Sequence, residues 1–377
     1  MIYLDQAATT PLKREVLEAM WPHLGPEFGN PSSHHEVGEA ASRALEQARA
    51  DVAQALGARS SEITFTSGGT ESDNTAIKGI ALAAPRGRHV MVSAVEHPAV
   101  LESAEFLGRI GYEVTVLPVD EHGMVQPATL EAALRDDSTL VSIQLANNEV
   151  GTIQQVETLS RLAAARGVPF HTDAVQGAGW LDLDVTRLGV QALSISGHKI
   201  GAPKGIGVLY VQRRVPFEPL LHGGGQEGGR RSGTENVAAA VGMAAAMRLA
   251  GGENDEATAR RDAFIDRVLT EVPDAVLTGD RAHRLPGSAS FVFPGTSGES
   301  ILLELEARGI VCSSGSACAA GSDDPSHVLV AMGIAPEVAQ TAVRFTFGRT
   351  TTQDDLDAAA DELVRAVASV SGRGAPR

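Results

Sequence analysis

Lysine is scarce in this chain of 377 residues: of 31 basic residues only Lys13, Lys78, Lys199 and Lys204 are lysines. Any chemistry that needs a primary amine therefore has few candidates. Cysteine is scarcer still, with Cys312 and Cys318 alone. Two cysteines cannot build a disulfide framework or a cysteine-based zinc site, so no metal centre is expected and each thiol has to be judged singly. Positive charge is outweighed, 31 basic against 47 acidic residues for a net charge of −16. That balance excludes broad electrostatic attachment to nucleic acid or anionic lipid. The longest small or apolar run, Val237 to Met247, falls well short of the roughly 18 residues that a membrane span needs. The N-terminus reaches Asp5 without a basic segment followed by an apolar stretch, so it does not read as a secretory signal and the cytoplasm is the default expectation.

What is present is an alternation. From about residue 60 to 211, β-rich runs (Ile63 to Thr66, His89 to Ser93, Val114 to Val119, Leu140 to Leu145, Val168 to Thr172, Ala192 to Ser196, Gly207 to Val211) alternate with helical stretches such as Thr70 to Ala83, Ala128 to Arg135 and Val156 to Arg166. Such a pattern predicts an α/β fold, a mostly parallel sheet covered by helices on both faces. Ligands of such sheets bind beyond the strand ends. After residue 235 a long helical region, Asn236 to Val272, precedes strands near Ala275 to Thr278, Ser290 to Phe293 and Val343 to Phe347, which reads as a smaller α+β domain. The tail from Ser371 is expected to fray.

The strand ends carry the chemistry. Lys199 follows the run Ala192 to Ser196 in Ser196-Gly197-His198-Lys199, among small residues that can partly desolvate its amine and make it a nucleophile toward an aldehyde. Asp173 ends another strand, placed to pair with a protonated pyridine nitrogen, and Gln176 follows it; alone, Asp173 could equally be a helix cap. His97 in Glu96-His97-Pro98 and Asn148 in Asn147-Asn148-Glu149 also follow strands. Four strand ends thus carry polar residues with complementary roles, which chance explains poorly.

Gly68-Gly69-Thr70-Glu71-Ser72-Asp73 matches a capping pattern, Thr followed three residues later by Asp, and a glycine turn that opens a helix also offers free N–H groups to a phosphate. A nucleotide P-loop fails here because Gly69 stands where its lysine belongs, and the dinucleotide fingerprint Gly-x-Gly-x-x-Gly is missing from Thr66 to Asn74.

Taken together, the segments Tyr3-Leu4-Asp5, Ala8-Thr9-Thr10-Pro11, Gly29-Asn30-Pro31-Ser32-Ser33, Thr66 to Asn74, Glu96-His97, Asn147-Asn148-Glu149, Ser196 to Lys199, His222 to Glu227, Arg231-Ser232-Gly233-Thr234, Ser313 to Cys318, Arg344-Phe345 and Gly348-Arg349 run in order along the chain. In these segments the chain resembles the cysteine desulfurases of the NifS/IscS type, pyridoxal-phosphate enzymes of the class V aminotransferase group. The resemblance implies the aspartate aminotransferase-like fold of pyridoxal-phosphate transferases, with a seven-stranded sheet in a large domain, residues 13–254, and a small domain formed by residues 1–12 and 255–377. It makes Lys199 the lysine that carries pyridoxal 5'-phosphate as a Schiff base, His97 the residue stacked on its ring, Asp173 the partner of the ring nitrogen and Gln176 a donor to the ring oxygen. Gly69, Thr70, Ser196 and His198 would hold the phosphate, with Thr234 donated by a second subunit of a homodimer. Asn148 and Arg344 would grip the substrate carboxylate, helped by Asn30. Lys13, Lys78 and Lys204 take no part.

Cys318 sits in the Ser/Gly/Ala-rich stretch Ser313 to Ser322, which suits a reactive thiol better than a packed one, whereas Cys312 follows the apolar run Gly309-Ile310-Val311 and reads as packing. The resemblance then implies that L-cysteine displaces Lys199, that the freed amine moves the Cα proton, and that the Cys318 thiolate takes the sulfur as a persulfide while L-alanine leaves. The sulfur would pass to an acceptor protein, for iron–sulfur cluster assembly or for thio-modification of tRNA or DNA. Departures from the family pattern lie at Gln6, at Ile200-Gly201-Ala202-Pro203 and in the residues after Cys318. An aminotransferase, a selenocysteine lyase and a non-catalytic scaffold for sulfur carriers remain as alternatives.

Overall fold

The structure, a computed structural model, describes residues 1–84, 86–315 and 324–372. Cys318, within 316–323, and the tail 373–377 lie outside the described residues. The chain opens with a short strand, β1 (Ile2–Tyr3), and the helices α1 (Arg14–Leu24) and α2 (Glu36–Ala55). The alternating region follows as β2 (Ile63–Thr66), α3 (Gly69–Ala83), β3 (His89–Ser93), α4 (Pro98–Arg109), β4 (Glu113–Leu117) and α5 (Pro127–Ala133). It continues with β5 (Ser138–Ser142), α6 (Val156–Ala165), β6 (Phe170–Asp173), α7 (Val185–Leu188), β7 (Ala192–Ser196) and β8 (Gly207–Val211).

These strands form one seven-stranded sheet in the order β2-β8-β7-β6-β5-β3-β4. Strand β8 runs antiparallel to both neighbours and the other pairings are parallel. Successive side chains of a strand face opposite ways, and both faces are covered here. Met91, Leu193 and Ile195 join one core with Val16 and Met20 of α1 and Val52 of α2, while Val90, Val92 and Leu209 join another with Ile77 of α3 and Val100 of α4. The near-continuous apolar runs in β3 and β7 follow from this double burial.

The long helical region read from Asn236 to Val272 is two helices, α8 (Val237–Ala250) and α9 (Asp255–Glu271). The break falls at Gly251-Gly252, where Gly252 takes φ +150°. Helix α8 packs against α1 and α2 and is buried nearly all round, so small alanines replace an amphipathic stripe. Beyond α9 come β9 (Val276–Leu277), β10 (Ser288–Val292), α10 (Gly298–Ala307), β11 (Ile310–Val311), α11 (His327–Ala331), α12 (Pro336–Ala339), β12 (Val343–Thr346) and α13 (Gln353–Val370). An antiparallel sheet, β12-β10-β9, packs under α9 and α13 around Phe264, whose ring meets Phe291 and Phe345 edge-on at 6.2 and 5.3 Å. Strand β1 pairs with β11, and Leu4 belongs to this third core, around Phe264.

Candidate active site

The end of β6 and the loops beyond β3, β5 and β7 bring Asp173, His97, Asn148 and Lys199 to one cavity of about 570 Å³. Gly69, Thr70, Gln176, Ser196, His198 and Arg344 line the same cavity. Lys204, expected to take no part, lines it too. Two expected residues are elsewhere. Asn30 is exposed, with its Oδ1 accepting the Ser32 N–H at 2.9 Å. Thr234 is exposed and faces a separate cavity of about 150 Å³ beside Glu227 and Arg231.

One end of the cavity is built for an anion. Helix α3 starts at Gly69, and no side chain caps it: the pairing of Thr70 with Asp73 expected from the capping pattern is not made. Glu71 instead reaches back to the Ser67 N–H at 2.8 Å, and Asp73 is buried. The first-turn N–H groups are thus left for a ligand. A Cβ on Gly69 would come within 3.0 Å of Val175 Cγ2 and 3.3 Å of Ser196 Cβ, so only glycine leaves that approach open. Burial, with Lys199 and Lys204 nearby, pushes His198 down to about 4, and its neutral ring meets Thr9 Oγ1 at 3.1 Å.

At the other end Asp173 is buried, its Oδ1 accepting the Val175 N–H at 2.8 Å. Burial raises its pKa, and the neighbouring His97 and Lys199 oppose that rise. His97 caps α4, its Nδ1 accepting the Ala99 N–H at 3.1 Å, so the ring nitrogen that can carry hydrogen is Nε2. Burial lowers its pKa against the pull of Asp173. Lys199 Nζ donates to Ala8 O at 2.8 Å and to Ala7 O, and Gln176 Nε2 donates to Ala7 O at 3.1 Å.

A phosphate-sized cradle without a cap, a buried carboxylate suited to a cationic ring nitrogen and a primary amine in the same wall together fit pyridoxal phosphate. Lys199 would hold its aldehyde carbon, Asp173 its ring nitrogen, and the α3 N-terminus with Thr70, Ser196 and His198 its phosphate.

Arg344 is buried and already engaged. Its Nη2 lies 2.7 Å from Asp5 Oδ1, and its Nη1 donates to Asn148 O at 2.8 Å and Gly315 O at 3.3 Å. Nε is the atom of that guanidinium with no partner among the described residues.

Behind these groups stand residues to which the sequence alone assigned no part in the site. Glu96 is fully buried, its Oε1 accepting from Ser93 Oγ at 2.6 Å and Gln144 N at 2.8 Å, and burial pushes it up to about 8. Asp73 and His171 are buried close to Asp173, and Glu149 is buried beside Ser326. The one signal for them in the sequence is a charged or titratable residue inside an otherwise apolar or glycine-rich run. Cys312 packs against the core around Phe264, where burial pushes its thiol up to about 12.

The aminotransferase class-V family model matches residues 2–359. A cysteine desulfurase IscS from Dictyoglomus turgidum is 49% identical over 371 residues, covering 97% of this chain and 94% of that protein. The chain belongs to the cysteine desulfurase family. Its fold is shared by the solved structure of a NifS-like protein, with a TM-score of 0.90 at 36% identity over 98% of the desulfurase and 100% of that chain. SspA in complex with cysteine is similar at a TM-score of 0.83 and 37% identity, over 92% and 99% of the two chains. Like its family, this desulfurase is an enzyme that depends on pyridoxal phosphate. No helix of the described residues is long and apolar enough to cross a membrane.

Proposed function

We propose that this desulfurase admits L-cysteine to the cavity, releases L-alanine and leaves the sulfur as a persulfide on Cys318. When bound, pyridoxal phosphate supplies an aldehyde for amines and a conjugated ring that draws electron density from the substrate Cα. Lys199 would be the amine that holds the aldehyde and, as a free amine, the base that moves the substrate Cα proton. Asp173 would favour a proton on the ring nitrogen. His97, with Nδ1 taken by the Ala99 N–H, offers Nε2 for acid–base work. Asn148 and Arg344 orient the substrate carboxylate, and Asn30 assists from outside the cavity wall. The Cys318 thiolate attacks the substrate sulfur: an S–S bond forms as the Cβ–S bond breaks. The electron pair stays on Cβ, which a proton completes to the methyl group of alanine.

The observation that carries this reading is the convergence of Lys199, the Asp173 carboxylate and the uncapped first turn of α3 on one cavity with Arg344 in its wall. The test has two arms. Borohydride reduction should fix the cofactor to Lys199, and Cys318→Ala should keep the cofactor colour while sulfide release from cysteine falls by about a hundredfold or more. Parental sulfide release from that variant, or a colourless protein with no adduct at Lys199, would overturn it.

On the same reading the enzyme is a homodimer in which Thr234 reaches the partner's phosphate site. Trp21 and Phe28 are 69% and 77% exposed, and Leu17, Trp21 and Leu24 share a face of α1. An apolar strip of that kind favours a covered interface. The two domains divide at residues 12 and 254, and an acceptor protein for iron–sulfur assembly or thio-modification of tRNA or DNA collects the persulfide in the cytoplasm.

A further inference from the structure

The turn after β5 does more than carry Asn148. Asn147 Oδ1 accepts the N–H groups of Glu149 and Val150, both at 2.8 Å, and Asn147 Nδ2 donates to Val95 O at 3.0 Å. That side chain folds the turn and fastens it to the segment beyond β3. Glu149 follows, 5% exposed, and its Oε2 accepts from Ser326 Oγ at 2.5 Å. Ser326 in turn caps α11, its Oγ accepting the Leu329 N–H at 3.2 Å. His327 Nε2 lies 3.0 Å from Glu96 O, and because a carbonyl can only accept, the imidazole donates.

The preceding flank of 316–323 is tied to the same turn. Arg344 Nη1 holds both Asn148 O and Gly315 O. A Cβ on Gly315 would lie 3.5 Å from Glu149 Cβ, and its φ of +90° favours glycine. Both flanks of the segment that contains Cys318 are thus fastened to the turn that delivers Asn148 to the cavity. Burial raises the Glu149 carboxyl, and Ser326, His327 and Arg344 counter that rise, so losing any of them leaves a buried acid short of a partner.

Helix α11 does not need this bond to stay packed. Val328 and Leu329 are buried against Val95, Val150 and Met332, and Ser326 caps the helix without Glu149. The carboxylate therefore has a job other than holding the helix. We propose that Glu149 is a positioning residue for sulfur transfer: by gripping Ser326 it fixes the following flank of the segment that contains Cys318, while Arg344 holds the preceding flank through Gly315. This rests on the reading of Cys318 as the group that takes the sulfur.

The test uses the holoenzyme with Glu149→Ala, Glu149→Gln and Ser326→Ala, the last cutting the bond from its other side. Three quantities are read: the midpoint of the cysteine-induced change in cofactor absorbance, the single-turnover rate of persulfide formation on Cys318, and the carboxymethylation rate of Cys318 in cofactor-free protein. Glu149→Ala and Ser326→Ala should slow persulfide formation about tenfold, as loss of one buried charge-assisted hydrogen bond implies. Both should change the carboxymethylation rate and leave the cysteine midpoint within about threefold. Glu149→Gln keeps an oxygen for the Ser326 hydroxyl and should restore most of the rate. Parental rates in all three variants, or a Glu149→Gln as slow as Glu149→Ala, would overturn the proposal alone. A parental enzyme that forms no persulfide on Cys318 would overturn the reading beneath it as well.

Discussion

His171 Nε2 stands 3.7 Å from Asp73 Oδ1, two residues before Asp173 on the same face of β6. The imidazole is no counter-charge, because Ser142 Oγ and Ser194 Oγ occupy its two nitrogens at 2.8 and 2.9 Å and burial pushes it down to about 3. Asp73 therefore faces Asp173 with no cation of its own among the described residues. Burial and that like charge raise it well above the usual carboxylate range. Asp173 differs in facing His97 and Lys199, which favour its charged form. Of two buried acids in one wall, Asp173 is the one whose charged form its neighbours favour, and Asp73 the one that burial and like charge push toward its protonated form.

That division predicts unequal mutants. Asp73→Asn removes a carboxyl that burial and like charge already push toward its protonated form, and should keep the cofactor absorbance and kcat within about threefold. Asp173→Asn removes the anion and should cost about a hundredfold in kcat and shift the absorbance band. Steady-state assays with absorbance spectra of both variants decide the matter; equal losses would contradict the assignment.

Glu96 gives a stability test whose sign follows from linkage. Its folded pKa is about 8 against 4.5 for a solvated glutamate, because burial disfavours the charge. Below the lower value both states hold the proton. As pH rises through the window the unfolded chain ionises first, so the folded state loses stability up to about pH 8. Glu96→Gln cannot titrate. Its urea midpoint relative to the parent should therefore climb between pH 5 and pH 8, measured on cofactor-free protein. The buried amide adds an offset that pH does not change, so the slope is what is read.

Much of this was legible in the sequence, and the parts that were not share a cause. The strands were readable because β-rich runs are bounded by polar turns, and Ala192 to Ser196 and Gly207 to Val211 fall where β7 and β8 lie. His97, Asn148, Asp173 and Lys199 were readable because each follows a strand in a sheet whose ligands bind there. Asp73 reads as part of a cap because a Thr-x-x-Asp pattern suits one, but the N-cap is Gly68, two residues before Thr70, and Asp73 is buried. The break between α8 and α9 was visible as Gly251-Gly252 but was outweighed by helical periodicity on both sides. Arg344 is expected to grip the substrate carboxylate, and nothing local in the sequence shows that Asp5, 339 positions away, already holds it. The bond from Ser326 to Glu149 spans 177 positions, and no local pattern announces it.

Gly69 tests the phosphate end separately from the chemistry. Gly69→Ala would press a methyl group toward Val175 and Ser196, in the opening that the α3 N–H groups face. Cofactor affinity should fall by about tenfold or more, while the fully loaded variant keeps its KM for cysteine within about threefold. Titrating cofactor-free protein with pyridoxal phosphate, followed by kinetics at saturation, separates the two quantities. An unchanged affinity would mean that the phosphate lies elsewhere.

The two cysteines should part company under an alkylating reagent. Thiolate is the reactive species, and burial pushes Cys312 up to about 12 from 9.0, with Asp5 adding to the rise. At pH 8 its thiolate fraction is then about a thousandfold below that of an unperturbed thiol. Iodoacetamide should accordingly modify native enzyme once per chain, at Cys318, and reach Cys312 only in urea. Peptide mapping after timed exposure gives both rates. Sulfide production should fall in step with Cys318 modification, and Cys312→Ser should follow the parental time course. Early labelling of Cys312 in native protein would mean that β11 opens readily, and a loss of activity tracking Cys312 would move the sulfur chemistry away from Cys318.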